Sequence, residues 1–127
     1  MELQAKRPTI KGPANWFTGD VYLDVITQGQ GTPVSLGLVH FCPCGHTAWH
    51  RHSLGQTLYC TEGEGWVQAR GGPLIRLRPG DVVVTPANEW HWHGATTDRF
   101  MVHFAFTEGD TEWGEHLTAE EYPPPGA

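Results

Sequence analysis

"HTAWHRHSLGQTLYC", residues 46–60, decides the fold. His50 and His52 are two apart, and Gln56, Leu58 and Cys60 then alternate with Thr57 and Tyr59. In an extended strand, residues i and i+2 project from one face, so each such row aims at a single side of the sheet. "EWHWHGA", residues 89–95, repeats the device with His91 and His93. In "RFMVHFAFT", residues 99–107, His103 shares a face with Met101, Ala105 and Thr107. If these faces all point inward, one small barrel collects six polar side chains in its interior: His50, His52, Gln56, His91, His93 and His103.

The rest of the chain carries the same period. Strand-like runs at 20–27, 34–41, 47–52, 56–61, 65–70, 74–78 and 81–86 recur every 8 to 12 residues, the rhythm of an all-β sandwich or barrel. Turn residues fall between them, at Gly29–Pro33, Pro43–Gly45, Gly63–Gly65, Gly71–Pro73 and Pro79–Asp81. No window before residue 110 has a 3.6-residue apolar period, and no strand–helix alternation is present, which removes dinucleotide-binding and P-loop folds. The tail, "TEWGEHLTAEEYPPPGA", reads as a short helix near 111–121 stopped by Pro123–Pro125, or as irregular chain, packed on the outside.

Composition narrows the function. A chain of 127 residues is the size of one domain, here taken as residues 1–127 with a barrel core at about 20–107. Eight Lys and Arg against 14 Asp and Glu give a net charge of −6 with no basic run, so the footprint for nucleic acid is missing. No apolar run reaches the ~20 residues that span a bilayer, and the N-terminal stretch has no signal-peptide core, which predicts a cytoplasmic protein and no membrane partner. Three cysteines make no disulfide framework. Cys42 is expected at a strand end and Cys44 in the adjoining turn.

Paired imidazoles on strands suit Zn, Cu, Fe or Ni better than an oxygen-rich Mg or Ca site. Structural zinc would favour four closed Cys or His ligands, and no CxxC spacing exists here, so an open site is expected. His40, His46 and His116 are single histidines and are read as surface or core residues.

At this level the residues match a family pattern. "GHTAWHRHSLGQTLYCTEG", 45–63, resembles the first cupin motif, with Gln56 where that motif places Glu. "GDVVVTPANEWH", 80–91, resembles the second, with Gly80, Pro86 and His91 in place and Asn88 at a position where glycine is usual. The resemblance covers most of the chain and implies a jelly-roll (double-stranded β-helix) barrel holding one divalent transition metal on His50, His52, Gln56 and His91. Asn88 is expected at positive φ, which Asn tolerates better than most residues.

A narrower resemblance joins "KGPANWFTG" (11–19), "HTAWHRHSLGQTLYCTEGEGW" (46–66), "HWHGA" (91–95) and "WGEHLTAEEY" (113–122) to the small manganese-dependent cupin hydroxynitrile lyases, which share glutamine as the fourth ligand. It implies cleavage or synthesis of a cyanohydrin, with His103 handling the substrate proton. Gly37, Val39, Phe41, His93 and Thr107 are the expected substrate-binding positions. Those lyases lead one to expect a longer polar side chain at Thr107.

Three functions stay open on sequence. The first is a lyase acting on a small hydroxyl- or carbonyl-bearing molecule. The second is an Fe- or Mn-dependent dioxygenase of a small aromatic compound. The third is a cupin that binds a metal or small ligand without turnover. Strand edges and six tryptophans favour a homodimer.

Overall fold

A computed structural model describes residues 1–127. It contains 13 strands and no helix: β1 (Ile10–Lys11), β2 (Phe17–Thr18), β3 (Val21–Gln28), β4 (Val34–Phe41), β5 (His46–Thr47), β6 (His50–His52), β7 (Gly55–Gly63), β8 (Gly65–Ala69), β9 (Leu74–Leu77), β10 (Val82–Thr85), β11 (His91–Ala95), β12 (Met101–Glu108) and β13 (Thr111–Trp113). The strands form two antiparallel sheets. One runs β1-β3-β4-β12-β7-β10, and the other runs β13-β6-β11-β5-β2, with β8 added beside β11 and β9 beside β8. They curl against each other into a jelly-roll barrel.

Alternation explains why these sequences make strands with a dry inner side. In β12, Met101, His103 and Ala105 are buried while Phe106 is exposed, so the side chains divide between the barrel interior and its outer wall. Val21, Phe41, Leu58, Leu77 and Met101 form the main core. Burying a side chain of this kind stabilises the fold by about 1.5–3 kcal/mol. Trp49, Trp66 and Trp92 make a second core cluster, on which Leu117 and Tyr122 of the tail pack.

Two backbone positions aim the site. Gly55, at φ 109°, precedes Gln56, and a Cβ there would sit 2.8 Å from the Thr85 carbonyl oxygen. Gly94 lets β11 approach β5 so closely that a Cβ would meet the His46 Cβ at 2.4 Å. Asn88 has φ 63°, the left-handed turn expected of it before His91.

The strands expected between 20 and 107 all form, with ends shifted by a few residues and the expected run at 47–52 divided between β5 and β6. Three short strands, β1, β2 and β13, were not expected. The helix proposed near 111–121 does not form. Residues 111–113 instead pair with β6 in the register Thr111↔His52, Glu112↔Arg51 and Trp113↔His50, and the following residues are irregular turns. An unpaired sheet edge outcompetes weak local helix preference, and Gly114, which lies against Trp90, would itself weaken a helix there.

Candidate metal centre

The two histidine pairs meet through strand register. His91 of β11 pairs directly with His50 of β6, so the faces carrying His50/His52 and His91/His93 become one surface. The opposite sheet supplies Gln56 from β7 and His103 from β12, where Gln56 pairs with Thr107. All six side chains are buried. A register shift between Val102 and His103, opposite Thr61, marks a bulge beside His103.

The outward nitrogens of the histidines are tied down. His50 Nδ1 donates to the Ala48 carbonyl at 2.9 Å, and His91 Nδ1 donates to the Glu89 carbonyl at 2.9 Å. Carbonyls only accept, so both rings carry the proton on Nδ1 and present a bare lone pair on Nε2. His52 Nδ1 meets Thr111 Oγ1 at 2.9 Å, while its Nε2 is buried with no partner. Gln56 Nε2 donates to Thr107 Oγ1 at 2.9 Å, which turns Oε1 to face His91 Nε2 at 3.1 Å. Two acceptors therefore stand opposed without a hydrogen between them.

Burial dominates the titration of the cluster. It holds His50 and His93 well below the ordinary imidazole range, helped by neighbouring histidines, and lowers His91 as well. His52 and His103 are lowered to about 4, again chiefly by burial. At neutral pH the cluster is uncharged, and protonation does not relieve the opposed lone pairs. A cation does, so the donor set fits one: three imidazole nitrogens and an amide oxygen, neutral in sum.

His93 lies deeper. Its Nε2 is 3.2 Å from His50 Nε2 and its Nδ1 is 2.9 Å from His103 Nε2, so it bridges the two. His50, His91 and His93 form the tightest histidine group, with ligand atoms within 4.8 Å of one another. His93 uses both nitrogens on other histidines, whereas His52 has a free one. Phe41 packs against His93 and His103, with ring centroids 5.9 Å and 5.2 Å away, and is itself buried. It belongs to the floor rather than to the open cavity.

That cavity, about 430 Å³, is lined by Trp16, Leu23, Gly37, Val39, Thr107 and Trp113 among others. Its wall reaches the cluster through two hydroxyls, Thr107 on Gln56 and Thr111 on His52. Thr111, Trp113 and Trp16 escaped the sequence reading. Trp113 stacks on His50 with centroids 4.5 Å apart, and Trp16 stacks on Trp113 at 5.1 Å. The i, i+2 spacing of Thr111 and Trp113 was the available signal.

The single histidines lie elsewhere. His40 contacts Asp24 at 3.2 Å, and exposed His116 meets Thr18 at 3.4 Å. His46 stacks on Tyr122 at 3.9 Å. All three cysteines are free.

A jelly-roll barrel whose inner faces carry paired histidines is the arrangement of a cupin, and the chain belongs to that family: the profile described as "Cupin domain" matches residues 37–107. The relatives are informative. A protein of Granulicella tundricola named "(R)-mandelonitrile lyase" is 45% identical over 117 residues, covering 88% of this chain and 89% of that one. A crystal structure of a cupin-like protein from Thermotoga maritima is 37% identical, covers 92% of this chain and 94% of its own, and superposes with a TM-score of 0.88. A predicted oxalate decarboxylase from Thermotoga maritima, 17% identical over 84% of this chain and 100% of its own, shares the fold with a TM-score of 0.72. No helix is long and apolar enough to cross a membrane.

Proposed function

We propose that this chain is a metal-dependent lyase of the hydroxynitrile-lyase type, acting in the cytoplasm on a small hydroxyl- or carbonyl-bearing molecule. The observation that carries the reading is the opposed pair His91 Nε2 and Gln56 Oε1, beside the buried, unpartnered His52 Nε2. His50, His52, Gln56 and His91 would hold one divalent cation, with manganese, iron or zinc suiting these donors and nickel or copper also compatible. Bound there, such an ion supplies positive charge undiminished by its neutral ligands, which stabilises an anion such as cyanide or a developing alkoxide. The 45% identical relative named a mandelonitrile lyase supports the same reaction type.

The chain's own groups supply the rest. His93 lies between His50 and His103, its Nδ1 2.9 Å from His103 Nε2. His103 Nδ1 is buried with no hydrogen-bond partner. We assign it the hydroxyl proton of the cyanohydrin. As the O–H bond breaks, a C=O bond forms, the C–CN bond breaks with its electron pair leaving on cyanide, and the proton returns to give HCN. Gly37, Val39 and Thr107 bound the substrate space, while Phe41 and His93 support His103 from below.

We further propose one catalytic unit per chain, with its barrel at about 20–107, and a homodimer. The exposed apolar side chains of edge strand β10 and its neighbours, Val82, Val84, Tyr59 and Phe106, favour association with a second copy. The test of activity is metal analysis of protein purified without chelators, followed by cyanide release from mandelonitrile and oxygen uptake with small phenols. The lyase reading expects about one metal per chain and cyanide release that chelation abolishes. Oxygen consumption without cyanide release would replace it with the dioxygenase.

A further inference from the structure

The side-chain amide of Gln56 has two ends of nearly equal size and opposite chemistry. Its oxygen can donate an electron pair to a cation, and its NH2 group cannot. The oxygen can be turned to the histidines at low cost only if the buried NH2 keeps a partner on the other side. That partner is Thr107, whose register places it beside Gln56 across β7 and β12 and whose Oγ1 accepts the amide N–H at 2.9 Å.

Gln56 is buried, so an unpartnered amide N–H there is costly. With the hydroxyl removed, the bare His91 Nε2, now 3.1 Å from Oε1, becomes an acceptor in reach once the amide turns over. The turned amide satisfies His91 but withdraws the oxygen. A glutamate at 56 has no wrong end, because both its terminal atoms are oxygens.

We propose that Thr107 is a positioning residue for the metal centre, giving the buried Gln56 amide N–H a partner in the orientation that turns its oxygen toward an ion. This rests on the metal reading above and adds that the glutamine is a stronger ligand with a hydroxyl behind it. Thr107 thereby gains a role distinct from its place in the cavity wall.

The experiment is calorimetric titration of the chelator-treated protein with manganese(II), comparing the native chain, Thr107→Val, Thr107→Ser, Gln56→Glu, and Thr107→Val combined with Gln56→Glu. Thr107→Val is expected to weaken manganese about 10–100-fold, the usual cost of removing a hydrogen bond that orients a ligand. Thr107→Ser, which keeps the hydroxyl, should stay within about threefold of the native chain. Against Gln56→Glu alone, adding Thr107→Val should change affinity by less than about threefold, since either carboxylate oxygen can face the ion. Unchanged affinity in Thr107→Val, or an equal loss in the glutamate background, overturns the proposal. If the native chain binds none of manganese, iron, zinc, nickel or copper, the metal reading fails and this inference falls with it. A second readout needs no variant: in native protein loaded with zinc, NMR should place the Gln56 amide protons against the Thr107 methyl. Finding them against the His91 ring instead overturns the assignment.

Discussion

Trp113 lies nearly parallel to His50, with ring centroids 4.5 Å apart and an interplanar angle of 27°. The residue comes from the tail strand β13, and its other face is covered by Trp16. His50 is therefore held at one nitrogen by a backbone carbonyl and across its face by an indole. Trp113→Ala should lower the stability of the metal-free protein by about 3 kcal/mol, through lost packing on His50 and Phe17. Urea unfolding would measure it. It should also weaken metal binding, whereas a purely distant packing loss would leave the affinity alone.

Removing a direct ligand should act more severely. His50→Ala or His91→Ala is expected to leave substoichiometric metal after purification, read by elemental analysis. Gln56→Glu should retain metal but lower the net charge of the loaded site by one unit, and cyanide release should slow. A faster Gln56→Glu enzyme would contradict the view that the neutral amide serves anion stabilisation.

His103→Ala should reduce kcat about 10²–10⁴-fold while the metal content stays near that of the native chain, as fits loss of a proton-transfer group that is not a ligand. Full activity in this variant would remove His103 from the chemistry. Activity loss accompanied by metal loss would point to a structural part in the His93–His103 contact.

The buried histidines make a pH prediction for the chelator-treated protein. His52 and His103 titrate at about 4 when folded and near 6.5 when unfolded, so between those values the unfolded chain binds more protons. Their contribution is complete above pH 6.5 and is lost as the pH falls toward 4. His103 alone represents about 3 kcal/mol. Urea midpoints measured from pH 7.5 to 4 should fall across that window, and metal should steepen the dependence because protons compete with it for the same nitrogens.

Val84 projects from edge strand β10 with 71% of its surface exposed. If a second copy covers this face, Val84→Lys should shift the sedimenting mass toward the monomer with little change in metal content. An unchanged dimer would place the interface elsewhere.

Much of the site was legible because period two is a local property. His50 with His52, and His91 with His93, declare their shared facing within three residues, and Met101 through Thr107 do so along one strand. The meeting of Gln56 with His91 was a different matter. It depends on sheet register and barrel curvature, which a shared inward facing leaves open and the family pattern narrows. The tail was misread because the acidic run and the prolines after it imitate a helix and its stop, while the free edge of β6 that captures Thr111–Trp113 lies some 60 positions upstream. Thr107 was visible as a residue of the cavity but not as the partner of an amide, because that contact requires neighbouring strands to be aligned.

The four candidate ligands do not sit on one sheet. His50, His52 and His91 belong to one and Gln56 to the other, so an ion held by all of them is a clasp between the halves of the barrel. Binding then enters the folding equilibrium, adding about 2.7 kcal/mol at a hundredfold excess over Kd. Cellular metal supply would thus set the lifetime of the protein as well as its turnover, and a starved cell would clear this barrel by proteolysis sooner than a replete one.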